Sequence, residues 1–198
     1  MNRVQLKRPM KTDKIFIIII VATFTVSPAV IPVSAAQSPP EFKTYTNSSY
    51  GITMQYPGDF ILLGAGPQSI VYFTSPTGKA SVFISPTGLI NSSMGVSNYN
   101  ATLGQYYSSV VSTFNQTLPN FQVLPGWPQN TTFGGHHAIS VQYTYTGADG
   151  QPIEAWAVMA LHNNTAYRLT YVSPVPYFND YISNVGKMAA TLQFLSTK

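Results

Sequence analysis

Residues 137–146 read His-Ala-Ile-Ser-Val-Gln-Tyr-Thr-Tyr-Thr, which sets Ile139, Val141, Tyr143 and Tyr145 on one side and Ser140, Gln142 and Thr144 on the other. A period of two belongs to a strand with one buried face, and a helix cannot hold it. Asp149-Gly150 then supplies a tight turn into Ile153–Leu161, and Asn163-Asn164 a turn into Ala166–Val172. The second half of the chain is therefore predicted to be an antiparallel meander.

The first half carries the same pattern more weakly. Phe42–Thr46 leads through Asn47-Ser48-Ser49 into Ile52, Met54 and Tyr56, which alternate with Thr53 and Gln55 before Pro57 ends the strand. Ile70–Ser75 and Ala80–Ser85 flank Pro76-Thr77-Gly78-Lys79, a hairpin by its turn chemistry. Ser-Pro-Thr-Gly occurs at 75–78 and again at 85–88 without wider similarity, so two turns are expected and not a repeat architecture.

Two segments change period. After a loop at residues 89–98, Tyr99, Leu103, Tyr106/Tyr107, Val110/Val111, Phe114 and Leu118 recur at spacings of three and four, with Asn98 or Asn100 as cap. This predicts an amphipathic helix with an aromatic stripe that packs on a sheet. Ser173-Pro174-Val175-Pro176 stops the last strand, and Pro176 suits the first turn of a final helix burying Phe178, Tyr181/Ile182, Val185, Met188/Ala189 and Leu192. Strands, helix, strands, helix is an α+β order with an antiparallel sheet.

The formal charge of +4 is local, because five of the ten Lys and Arg residues lie in the first 14 positions beside only Asp13. An apolar run, Ile15–Val26, and a small-residue segment ending Val33-Ser34-Ala35-Ala36 follow. That is the order of a secretory signal peptide at residues 1–36, with cleavage after Ala35 or Ala36. The competing reading is an uncleaved anchor over Ile15–Ala36, which Pro28 and Pro32 interrupt. Residues 37–43 read as a spacer and 44–198 as a single domain. Beyond residue 14 the charges cancel, so no basic patch remains to neutralise phosphates, and nucleic acid is excluded as a partner. Membrane contact is expected only through the N-terminal segment, if it is uncleaved.

With no cysteine the fold has no disulfides, and packing alone must hold it. Six Asn-x-Ser/Thr sequons, at Asn47, Asn91, Asn100, Asn115, Asn130 and Asn163, suit a glycosylated exported protein.

Tyr50-Gly51-Ile52-Thr53-Met54-Gln55-Tyr56-Pro57-Gly58-Asp59-Phe60 resembles the opening motif of the PsbP-like family, an aromatic-Gly-apolar strand before a Tyr-Pro-x-x-aromatic corner. Phe73-Thr74-Ser75-Pro76, Gly135-x-x-Ala138 and Tyr167-x-Leu169-x-Tyr171 extend the resemblance over about residues 42–195. Phe60 stands where the family usually has Trp. The resemblance implies an α-β-α sandwich, shared with Mog-type proteins, whose central antiparallel sheet of about six strands is flanked by helices. In photosynthetic organisms such proteins serve photosystem II on the lumenal side and influence calcium and chloride retention. Sequons and a signal peptide look more like an archaeal exported relative, to which that role does not transfer. Calcium is implied by the resemblance only.

The residues offer little for catalysis: no Gly-x-Ser-x-Gly elbow, no phosphate loop and no His-Glu-x-x-His occur. His136, His137 and Asp149 are the weak metal candidates. Adjacent histidines on a strand point to opposite faces, and Asp149 reads as a turn residue. Trp127 is either a recognition aromatic or a loop anchor. Arg168, the one Arg beyond residue 14, is expected to pair across strands with Glu154. The leading expectation is a non-enzymatic exported module that binds or scaffolds a cell-surface or membrane-associated partner. The alternatives are a small-ligand or metal carrier, and a secreted hydrolase using Asp59 or Glu154.

Overall fold

The structure, a computed structural model, describes residues 41–66, 69–88 and 102–195. By its contacts the chain divides into residues 1–37 and 38–198, and every described residue belongs to the second unit. The signal peptide, residues 37–40 of the spacer, the loop at 89–98 and the sequons Asn91 and Asn100 lie outside the described residues.

The meander forms as its alternation requires. Strands β8 (His136–Thr146), β9 (Pro152–His162) and β10 (Thr165–Pro174) run antiparallel, with Ala138 opposite Ala160 and Leu169 opposite Val158. On the far side of β10 come β5 (Ser81–Gly88), β4 (Ser69–Thr74) and β3 (Ile61–Gly66). Two short strands, β6 (Gln122–Val123) and β7 (Gln129–Phe133), both pair with β8. This eight-stranded sheet is larger than the six strands expected. A separate three-stranded sheet joins β1 (Phe42–Asn47), β2 (Ile52–Pro57) and β11 (Gln193–Phe194), so Phe42 and Lys43 belong to β1 and not to a spacer.

Each helix takes one face of the large sheet. Helix α1 (Leu103–Thr117) lays Tyr106 and Val110 against Val141, Tyr143, Ala155, Ala157 and Met159. Helix α2 (Phe178–Thr191) and the small sheet cover the other face, where Val185 and Met188 meet Ile52, Met54, Phe73, Leu169 and Tyr171. The residues facing α1 and those facing α2 alternate along β8, β9 and β10, as a strand buried on both sides must.

Three local expectations are corrected. Helix α1 starts at Leu103, so Tyr99 precedes it, and its cap is Thr102. The Thr102 hydroxyl accepts from the Gln105 amide at 3.2 Å while the Gln105 side chain accepts from the Thr102 amide at 2.8 Å. This reciprocal box satisfies two otherwise orphan donors, which a cap at Asn98 or Asn100 would leave open. The second Ser-Pro-Thr-Gly is strand and not turn: Ser85 pairs with Arg168 and Pro86 with Tyr167 on β10. Pairing between β5 and β4 stops at Ile84, so the missing Pro86 donor interrupts no ladder there. Lastly, Pro176 sits in a 3-10 turn at Val175–Tyr177, one step ahead of α2.

Candidate functional site

Asn163 and Asn164 both adopt positive φ, 47° and 58°, and close the tight turn from β9 into β10. At the other end of the meander, Gly134 and Gly135 (φ 61° and 79°) turn β7 into β8, where Phe133 pairs with His136. Following the β8–β9 register two steps beyond Ala138 and Ala160 sets His136 beside His162. Their rings meet, with His162 Nδ1 and His136 Nε2 3.1 Å apart. One nitrogen donates and the other accepts, so the bond requires at least one neutral imidazole.

Phe194 of β11 completes the cluster. Its ring lies parallel to His162 at 4.3 Å between centroids and also touches His136 and Tyr167. Pairing of Phe194 with Ile52, and a 2.7 Å bond from the Leu195 amide to the Gly51 carbonyl, fix the C-terminal segment in place. Tyr167 donates its hydroxyl to the Tyr50 carbonyl at 3.1 Å. Above this floor opens a cleft of about 390 Å³, lined among others by Tyr50, Pro86, His162, Thr165 and Tyr167. Three chain segments distant in sequence thus converge: the β1–β2 turn, the β9–β10 turn and the chain after α2.

Burial, and next the neighbouring His136, hold the His162 pKa below the ordinary histidine value. A folded-state pKa that is depressed means the unfolded chain binds the proton more readily. This contribution to stability is therefore present above about pH 6.5 and is lost as the pH falls through the folded value. His162→Gln is expected to flatten the dependence of the unfolding midpoint on pH between about 7 and 5, measured by urea titration. An unchanged slope would show that His162 does not titrate as described.

The metal candidates are not brought together. His136 faces the α2 side and meets His162, while His137 points the other way into solvent. Asp149 accepts from the Gln151 amide in the β8–β9 turn, at the opposite end of the ladder from His136 and roughly 30 Å along it. Two imidazole nitrogens at the observed spacing fill two corners of a tetrahedral site. Among the described residues no group of three His, Cys, Asp or Glu assembles. The two rings and Phe194 form a polar, aromatic wall beside the cleft. The sequence does not announce this partnership: a two-residue Asp149-Gly150 turn would set His162 opposite His137, and only the observed register, centred on Asp149, brings it to His136.

Arg168 lies on the opposite side of the sheet from Glu154, so the expected pair does not form. Arg168 stands opposite Met159 and Ser85 on the α1 side, whereas Glu154 stands opposite Ser173 and accepts from Gln142. The guanidinium lies 5.2 Å from the Phe114 ring centre, and neither its buried Nε nor the buried Thr170 hydroxyl has a hydrogen-bond partner. Burial drives the neighbouring Tyr143 hydroxyl far above the usual phenol range despite the opposing pull of Arg168. Arg168→Met is expected to leave stability unchanged or raise it by about 1 kcal/mol, because it removes a buried donor without breaking an ion pair. A loss beyond ~2 kcal/mol in denaturant unfolding would contradict this.

Of the hydrolase candidates, Asp59 is exposed in the corner after β2, and Glu154 lies within β9. Trp127 packs on the cluster beneath α1 and is a loop anchor. Asn115, Asn130 and Asn163 are exposed, while Asn47 is half-buried, with its amide donating to the Tyr45 hydroxyl at 3.1 Å.

No family model and no curated protein matches the chain. Among solved structures, the cyanobacterial PsbP protein CyanoP of Synechocystis superposes with a TM-score of 0.55 at 12% identity, covering 81% of this chain and 95% of CyanoP. LpqN of Mycobacterium tuberculosis, described as involved in cell envelope biogenesis, superposes with a TM-score of 0.53 at 12% identity, covering 81% of this chain and 88% of LpqN. At such identities the likeness is one of architecture, and on it the chain has a PsbP-like fold.

Proposed function

We propose that this protein is an exported, non-enzymatic binding or scaffolding module of the outer membrane face or cell surface, with the cleft at His162 as its recognition site. The observation that carries the reading is the PsbP-like fold, shared with LpqN, a protein of cell envelope biogenesis. The signal-like order of residues 1–36 supports the same compartment. We take the two helices and the large sheet as the α-β-α layering that PsbP-like proteins have. The cleft brings the exposed ring of Tyr50, the half-buried His162 and the Tyr167 ring edge to one open, uncharged surface, which suits a polar neutral group over an ion.

Affinity capture of the tagged full chain from its native envelope fraction tests this, run in parallel with a Thr165→Arg variant that fills the cleft mouth. Enrichment of a discrete partner, lost in the variant, supports the proposal. If the envelope gives nothing and a small-molecule screen of the purified protein gives a hit that the variant loses, the carrier reading replaces it.

A further inference from the structure

One end of the large sheet is unusually apolar for a surface. Of six exposed large hydrophobic residues among those described, five lie there: Ile61, Leu62 and Leu63 (50, 43 and 58% exposed) and Val175 and Tyr177 (both 39%). Both groups lie toward the same end of the sheet, since Ile61 pairs with Thr74, Thr74 with Ser81 and Ser81 with Val172, three residues before Val175. Phe60, which precedes Ile61, meets the Tyr181 ring edge-on at 6.0 Å, and the Tyr181 hydroxyl bonds to Thr77 at 2.7 Å. Two residues on, Lys79 reaches over the Tyr177 ring at 5.2 Å, and its carbonyl accepts from Ser173 at 2.9 Å. Strand β3 is also the free edge of its sheet: Ile61 and Leu62 pair regularly with Thr74 and Phe73, two register shifts follow around Gly64, and residues 61–65 are exposed.

The same end receives the N-terminal chain. The Gly58 amide donates to the Glu41 carbonyl at 2.6 Å, so the 40 residues before Glu41, with their apolar run at Ile15–Val26, join the domain three residues from Ile61. Charge does not oppose an apolar contact: Lys43, Lys79 and Lys187 are offset by Glu41, Asp59 and Asp180 around this end. Soluble monomers seldom expose three consecutive aliphatic residues on a sheet edge, and such an edge is a liability unless something covers it.

We propose that the Ile61–Leu63 edge with Val175 and Tyr177 is a lipid-contacting surface that seats the domain on the bilayer its N-terminal segment is directed to. The contact rests on apolar burial, so it takes zwitterionic and anionic lipid alike. It draws on the export reading only for which membrane is involved; failure here leaves the outcome of the envelope capture unaffected.

Residues 38–198 contain the whole described core and suit the test. The domain is mixed with sucrose-loaded vesicles of phosphatidylcholine, alone or with phosphatidylglycerol, and sedimented at low and high salt. The expected result is co-sedimentation with both compositions, little changed by salt, and a partition coefficient reduced roughly a hundredfold in Leu62→Ser/Leu63→Ser, about tenfold for each leucine. Circular dichroism melting of the same variant establishes that it is folded, and Val175→Ser with Tyr177→Ser supplies a second pair outside β3. Absence of binding to either vesicle, binding unchanged in both folded variants, or a stable dimer that Leu62→Ser/Leu63→Ser dissolves would overturn the proposal.

Discussion

Gly134→Ala is expected to destabilise the domain by about 2–4 kcal/mol, combining a left-handed backbone with overpacking. At φ 61° an L side chain is strained already. A Cβ there would also press into the Phe194 ring, 2.6 Å from Cδ2, and lie 3.0 Å from the Leu192 side chain. The ring has nowhere to go, because His162 is stacked on it and Phe133, His136 and Tyr167 surround it. Gly135→Ala is the control, since its Cβ would meet nothing within 4 Å and only the backbone cost remains. Urea unfolding of both variants checks this; equal losses would mean that Phe194 yields and that the cleft wall is soft.

Phe73→Ala should cost about 3–5 kcal/mol, the range for a buried aromatic whose cavity cannot collapse. Phe73 is fully buried on β4, with Tyr45 edge-on at 5.8 Å and Tyr56 at 4.8 Å. Both tyrosines come from the small sheet, so this one ring joins the two sheets. Against a typical margin of 5–15 kcal/mol the variant approaches unfolding, and Tyr45→Phe serves as the mild comparison that loses the hydroxyl's bonds to the Ile70 carbonyl and from the Asn47 amide. A cost under ~2 kcal/mol would mean that the small sheet is held elsewhere.

What could be read from the residues follows how local the causes are. The alternation at Ile139–Tyr145 and the Asp149-Gly150 turn specify β8 and β9 within their own ten residues, and both form as expected. Strand β3 carries no alternation to read, because Ile61-Leu62-Leu63 is apolar throughout and an edge strand exposed along residues 61–65 has no buried face to impose a period of two. Strand β11 is two residues long and exists through its pairing with β2 across most of the chain. The expected Arg168–Glu154 pair failed on parity, since a cross-strand partner must share a face as well as a neighbourhood. His136 and His162 share a face, but their meeting depends on a register carried unbroken from the hairpin turn. The cleft was harder still, because it needs the β1–β2 turn and Leu195 delivered by the small sheet.

A functional reading built on compartment and recognition stands or falls on where the domain resides. The direct measurement is protease treatment of intact native cells making the full chain with a C-terminal tag, beside a cytoplasmic control protein. The expected result is loss of the tag from intact cells while the control survives. A tag that is degraded only after lysis would place the domain inside and contradict the proposal.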